Sequence, residues 1–127
     1  MRHARRSLFL VVFVAVLLVQ TAAVPRAASG ARSRNLDVFA KCLAAKHATM
    51  YGSFWCRHCD DQKEMFGSSF QYIPYVECST PGLRQMVFLC QAKGIRYTPT
   101  WIFADGERRV GLQSLQALSQ KTACALP

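Results

Sequence analysis

Phe54-Trp55-Cys56-Arg57-His58-Cys59 is the stretch on which the reading of this chain turns, because the residue pattern changes across it. On its N-terminal side, Thr49 to Phe54 is apolar and aromatic without charge, the composition of a strand buried on both faces. On its C-terminal side, Cys56 to Phe66 carries Asp60, Asp61, Gln62, Lys63, Glu64 and Met65, helix material with acids in the first turn, and Gly67 stops it. The two cysteines therefore occupy a strand-to-helix junction. Spaced i and i+3 on a first helical turn, they can close a small disulfide while the first sulfur stays at the helix end, facing solvent.

That placement makes Cys56 the expected nucleophile and Cys59 its resolving partner. The N–H groups and positive dipole end of a helix stabilise a thiolate, Arg57 and a protonated His58 add to the effect, and the Cys56 pKa is expected below the ordinary value of about 8.5. A stabilised thiolate favours the dithiol, which makes the disulfide a stronger oxidant. A histidine just before the second cysteine therefore argues for oxidase or isomerase chemistry over pure reduction. The same spacing also builds half of a zinc knuckle. No second C-x-x-C exists, Cys78 and Cys90 are too far apart to form one, and His47 and His58 would have to be recruited irregularly. No metal is expected. A purely structural disulfide fits poorly with the adjacent Trp55 and the polar helix start.

Working outward, a helix is expected from Asn35 or Asp37 to His47, with Leu36, Ala40, Leu43 and His47 on one side. Ile73 to Cys78 reads as a second strand, and Leu83 to Lys93 as a helix between Pro81-Gly82 and Gly94. Thr100 to Ala104 and Glu107 to Val110 form a hairpin about Asp105-Gly106, and a last helix runs from Ser114 to Cys124. One crossover unit followed by a hairpin implies an α/β fold, a central mixed β-sheet with helices on both faces. Thr98-Pro99, directly before a buried strand, reads as a cis turn opposite the cysteines, where its backbone could pair with a substrate strand.

The N-terminus speaks to compartment. Arg2, His3, Arg5 and Arg6 precede an unbroken apolar run of 12 residues, Leu8 to Val19. This is the layout of a signal peptide, with small residues for processing at Thr21-Ala22-Ala23 and Ala27-Ala28-Ser29. An uncleaved anchor is the alternative. Residues 1–34 are thus expected as leader or anchor plus a flexible linker, and 35–127 as one domain, exported to the periplasm or another extracytoplasmic space. Six of the 16 basic residues lie before position 35, so the net charge of +9 reflects the leader. The rest are scattered among acids, which argues against nucleic-acid binding. All six cysteines fall beyond the leader, where oxidising conditions let disulfides persist.

Phe54-Trp55-Cys56-Arg57-His58-Cys59 together with Gly94-Ile95-Arg96-Tyr97-Thr98-Pro99-Thr100 and Asp105-Gly106 resembles the thioredoxin superfamily over about Thr49 to Thr122. Within it, Met50-Tyr51-Gly52-Ser53-Phe54-Trp55-Cys56, Phe66-Gly67, Tyr75-Val76-Glu77-Cys78, Leu89-Cys90 and Pro99-Thr100-Trp101 are most similar to the thioredoxin-like domain fused to vitamin K epoxide reductase homologues. The resemblance implies a thioredoxin-like fold, catalysis by Cys56 and Cys59 with Arg57 and His58 between them, substrate binding by Trp55, Thr98 and Pro99, and no cofactor. It implies exported thiol proteins as substrates and a membrane reductase homologue that passes electrons to a quinone. This sequence holds no multi-span region, so that partner is expected as a separate protein. Cys78 and Cys90 are expected to be a structural pair, as the resemblance also suggests, with a second redox pair as the alternative. Cys42 and Cys124 remain by elimination, as a pair, as lone thiols or in intermolecular bonds.

Two departures stand out. Reducing thioredoxins carry a buried acid six residues before the first cysteine, where this chain has Met50, and the proline common between the cysteines is replaced by Arg57-His58. The first weakens a reductant reading, and the second raises local positive charge and leaves the redox potential open. The competing readings are such a reductant, a redox-inactive peptide-binding or chaperone module with a groove near Trp55, Tyr97 and Trp101, and a metal site using His58.

Overall fold

The computed structural model describes residues 28–127. The expected leader, with its apolar run Leu8–Val19, lies outside the described residues. The chain runs α1 (Ala28–Ala45), β1 (Thr49–Gly52), α2 (Arg57–Phe66), a 3-10 helix (Gly67–Tyr72), β2 (Tyr75–Glu77), α3 (Phe88–Ala92), β3 (Thr100–Ile102), β4 (Arg108–Val110) and α4 (Leu115–Thr122). Among the described residues no helix is long and apolar enough to cross a membrane.

The four strands form a mixed sheet in the order β2-β1-β3-β4. β1 and β2 are parallel, with Tyr51 opposite Val76, because α2 and the 3-10 helix carry the chain back over the sheet between them. β3 lies antiparallel to β1, with Met50 opposite Trp101, and β4 antiparallel to β3. Strand alternation sends Met50 and Trp101 into the main core with Phe39, Leu43, Phe66 and Leu118 from α1, α2 and α4. It sends Tyr51 and Ile102 to a second cluster with Cys78, Cys90 and Ile95. The result is an α/β, thioredoxin-like arrangement.

Several elements differ from expectation for identifiable reasons. α1 begins at Ala28, so the stretch expected as linker up to Arg34 has helical backbone. No proline follows Pro25 there, and alanine and arginine are good helix formers. At its other end His47 is exposed and left-handed (φ 54°), outside the buried face. Its N–H donates to Ala44 O at 2.9 Å and that of Ala48 to Leu43 O at 3.0 Å, the paired bonds of a Schellman cap. Phe39 takes the buried place instead.

The helix expected over Leu83–Lys93 shrinks to α3. Ser79 bridges Met86, and the Val87 N–H donates to Cys78 O at 2.8 Å, so the backbone bonds of this stretch run across to the strand end instead of along a helix. The Cys78–Cys90 disulfide lies over the same crossing, with Cα atoms 5.6 Å apart. The hairpin closes through a three-residue loop. Gly106 N–H donates to Phe103 O at 2.9 Å and Phe103 N–H to Glu107 O at 3.0 Å, with Gly106 at φ 80°, the geometry of a type I turn plus bulge.

Candidate functional site

Cys56 is the N-cap of α2, extended at φ −94° and ψ 107°. Its sulfur accepts the Cys59 N–H at 3.3 Å, so the group that caps the first turn is the sulfur itself. A negative charge on that sulfur would receive the same amide and the positive end of the helix. On its other side the Cys56 thiol donates to the Thr98 carbonyl oxygen at 3.3 Å. Thr98-Pro99 is a cis peptide bond, and Pro99 is buried beside the strand it opens, its carbonyl accepting the Gly111 N–H at 2.8 Å. The Thr98 hydroxyl also reaches the Ser53 hydroxyl at 3.4 Å. Two loops 42 residues apart in sequence thus meet at one sulfur.

Cys56 and Cys59 are present as thiols and are unequal. Cys56 retains 8% of its surface and Cys59 none, so a second molecule reaches Cys56 first. Burial above all, then the bond with the Cys56 sulfur, pushes the Cys59 thiol up to about 12. The arrangement can hold one partly accessible, reactive sulfur and a protonated one beneath it.

Around the thiols, Phe54, Trp55 and Tyr97 are exposed and form an apolar rim. Arg57 and His58 are exposed as well. The His58 Nδ1 lies 3.4 Å from an Asp61 carboxylate oxygen, which offsets its charge when protonated. Trp101 is not part of any groove. It is fully buried on the central strand β3, and its indole N–H donates to Gln62 Oε1 at 3.2 Å.

Two groups that sequence reasoning passed over support this geometry. Gln62, fully buried on the α2 face that carries Cys59 and Phe66, accepts from Trp101 and from the Gln113 N–H at 2.8 Å, and donates to Gln113 O at 3.0 Å. It ties α2 to β3 and to the turn before α4. Glu77, at the end of β2, accepts the Phe54 N–H at 3.2 Å, the Ser79 N–H at 2.9 Å, the Ser79 hydroxyl and the Tyr75 hydroxyl at 2.7 Å. Burial pushes its carboxyl up, but the bonds from Ser79, Tyr75 and Phe54 outweigh it, and the net shift is downward, so it is ionised at neutral pH. Gln62 lies in a polar run between Asp61 and Lys63, and Glu77 between Val76 and Cys78, patterns that a solvated helix face and a strand end also produce.

The other four cysteines form two disulfides. Cys42–Cys124 joins α1 to the chain after α4 with Cα atoms 5.8 Å apart, and Cys78–Cys90 joins the end of β2 to α3. Among the described residues no three His, Cys, Asp or Glu side chains cluster to hold a metal ion.

A sheet of this topology with a capping cysteine, a buried partner and a cis-proline loop facing them defines a thioredoxin-like domain carrying an α2-capping dithiol. The chain is 43% identical over 81 residues to the thiol-disulfide oxidoreductase LTO1 of Arabidopsis thaliana. The match covers 61% of this chain and spans 22% of that protein's length. No protein-family model matches. The likeness supports a thioredoxin-like oxidoreductase and a redox role.

Proposed function

We propose that this chain is an extracytoplasmic thiol–disulfide oxidoreductase that oxidises or isomerises exported proteins through Cys56 and Cys59. The observation that carries the reading is the inequality of the two thiols: a slightly accessible sulfur capping α2 beside the Thr98 carbonyl, and a fully buried sulfur kept protonated.

Starting from the Cys56–Cys59 disulfide, a substrate thiolate attacks the Cys56 sulfur, the more accessible of the two. A substrate–Cys56 bond forms and the Cys56–Cys59 bond breaks. The electron pair of the broken bond goes to the Cys59 sulfur, which takes up a proton readily because its burial disfavours charge. A second substrate thiolate then attacks the substrate sulfur of the mixed disulfide, and Cys56 leaves as the thiolate that the Cys59 N–H receives. The substrate has lost two electrons and the enzyme is the dithiol. Trp55, Thr98 and Pro99 form the substrate-binding edge in this reading, and Arg57 and His58 add positive charge at the helix start. A membrane vitamin K epoxide reductase homologue would take the two electrons onward to a quinone. The signal-peptide pattern supports the location, and the neutral Met50, buried in the core where reducing thioredoxins carry an acid, supports oxidation over reduction.

The test is a titration of the Cys56–Cys59 couple against glutathione. A potential between roughly −120 and −180 mV supports oxidase or isomerase work, whereas one near roughly −270 mV reverses the direction. Cys56→Ser should abolish oxidation of a dithiol peptide. Unchanged oxidation would sink the reading, whereas a wild type that does not oxidise the peptide, with a Cys56→Ser, Cys59→Ser variant that binds it as well as wild type, would mark a peptide-binding module.

A further inference from the structure

A negative charge at the end of β2, bonded to the β1–α2 loop, goes unused by the exchange mechanism. The Glu77 carboxylate bonds the amide of Phe54, and Phe54 stands two residues before Cys56 in a turn closed by the Cys56 N–H on Ser53 O at 3.0 Å. Two residues of chain span at most about 7 Å, so the carboxylate, exposed at the end of β2, lies within about one Debye length of Cys56. Its placement is well determined: one oxygen takes the Ser79 amide and hydroxyl, the other takes the Tyr75 hydroxyl, and the Tyr75 ring packs edge-on to Phe70 at 5.7 Å. A carboxylate that only needed solvation would not be bonded from four directions. Nearby, the Lys63 ammonium lies 4.5 Å from the Tyr75 ring and counters part of the charge, with Asp60, Asp61, Arg57 and His58 on the exposed side of α2.

We propose that Glu77 is a positioning residue that sets the redox balance of the Cys56–Cys59 couple, holding the loop by the Phe54 amide and opposing negative charge on the Cys56 sulfur. The helix end favours the thiolate and so favours the dithiol; Glu77 works against it and favours the disulfide. The couple is thereby kept less oxidising than its helix position alone would make it, which preserves a protein disulfide that can be regenerated. This rests on the reading of Cys56 and Cys59 as a redox couple.

The test is the equilibrium between full-length protein and glutathione, in which one protein disulfide and two glutathione thiols become one dithiol and one glutathione disulfide. Glu77→Gln keeps an acceptor for the Phe54 amide and removes the charge. Its equilibrium constant should shift toward the dithiol at least threefold, about 14 mV, and alkylation of Cys56 by iodoacetamide at pH 7 should quicken. Glu77→Asp, which keeps the charge, should stay within twofold of wild type. Glu64→Gln, which removes an exposed α2 charge away from the loop, should do the same. Thermal unfolding of each variant accompanies the titration. An unchanged or reversed constant in folded Glu77→Gln, or a shift in Glu77→Asp equal to that in Glu77→Gln, would overturn the inference and leave Glu77 a structural residue. A wild-type protein that does not equilibrate with glutathione at all would instead refute the redox reading beneath it.

Discussion

The Cys56 thiol donates to the Thr98 carbonyl at 3.3 Å, and this one contact joins the two loops that define the site. It has a consequence for reactivity. A thiol can make the bond but a thiolate or a disulfide sulfur cannot, so the Thr98 carbonyl is released from Cys56 whenever Cys56 ionises or is oxidised. Its backbone then faces the attacking substrate, in the position from which an extended chain can pair with it.

The buried partner gives a pH dependence with a definite sign. Cys59 titrates near 9.0 when unfolded and at about 12 in the folded dithiol. Between these values the unfolded chain releases a proton that the native chain keeps. Its contribution to stability is therefore fully present below pH 9 and is lost as pH rises toward 12. The reduced protein should lose up to about 1.4 kcal/mol per pH unit across that window. The oxidised protein has no Cys59 thiol and lacks this loss. Urea unfolding of both forms at pH 8 and pH 10 measures it, and parallel curves would mean that Cys59 titrates near its ordinary value.

Gln62→Leu keeps the volume of a buried side chain but leaves the Trp101 indole N–H and the Gln113 N–H without their acceptor. Each stranded donor costs about 1–3 kcal/mol. The variant should lose about 2 kcal/mol or more, read from the urea midpoint. Disulfide exchange should slow too, because Gln62 holds the helix that presents both sulfurs. A loss below about 0.5 kcal/mol would show that water replaces the acceptor.

The junction of β1 and α2 was legible because composition changes there abruptly, from uncharged aromatic to charged helix former, and because two cysteines three apart have few structural uses. Thr98-Pro99 was legible through the strand that follows it. Gln62 and Glu77 were not, since a glutamine inside the polar run 60–64 has no mark that says it points inward, and a glutamate at a strand end has none that says which donors it accepts from. α3 was overestimated for a different reason: Leu83–Lys93 has the local composition of a helix, but Val87 bonds back to Cys78, and tertiary pairing overrides local preference. The binding-module reading put Trp101 in a groove near the motif, yet strand alternation turns it into the core.

Gly52 is the position where space is most limiting. A Cβ there would lie 2.7 Å from Tyr75 Cε2 and 2.8 Å from its hydroxyl oxygen. The ring cannot withdraw without giving up its bond to Glu77. Gly52→Ala should therefore cost about 1–3 kcal/mol. Tyr75→Leu, which removes the obstructing hydroxyl and ring edge, should relieve most of that cost in a double-mutant cycle. Additive losses would mean that the strand shifts away from Tyr75 instead.

The two structural disulfides should differ in what they contribute, because they close loops of very different length. Cys42 and Cys124 are 82 residues apart and Cys78 and Cys90 only 12. If restricting the unfolded chain is the main effect, replacing the first pair by alanine should cost about 4.5 kcal/mol and the second about 3 kcal/mol. A competing contribution comes from the native side. The Cys78–Cys90 bridge sits where the Cys78 N–H donates to Gly52 O at 2.7 Å and Val87 crosses back, directly behind the loop that carries Phe54 and Cys56. Urea midpoints of the two double variants, each with Cys56 and Cys59 oxidised, separate the effects. A greater cost for the longer loop supports chain entropy as the main source of stabilisation, whereas a larger loss from Cys78 and Cys90 would show that this bridge acts by holding the native packing behind the dithiol.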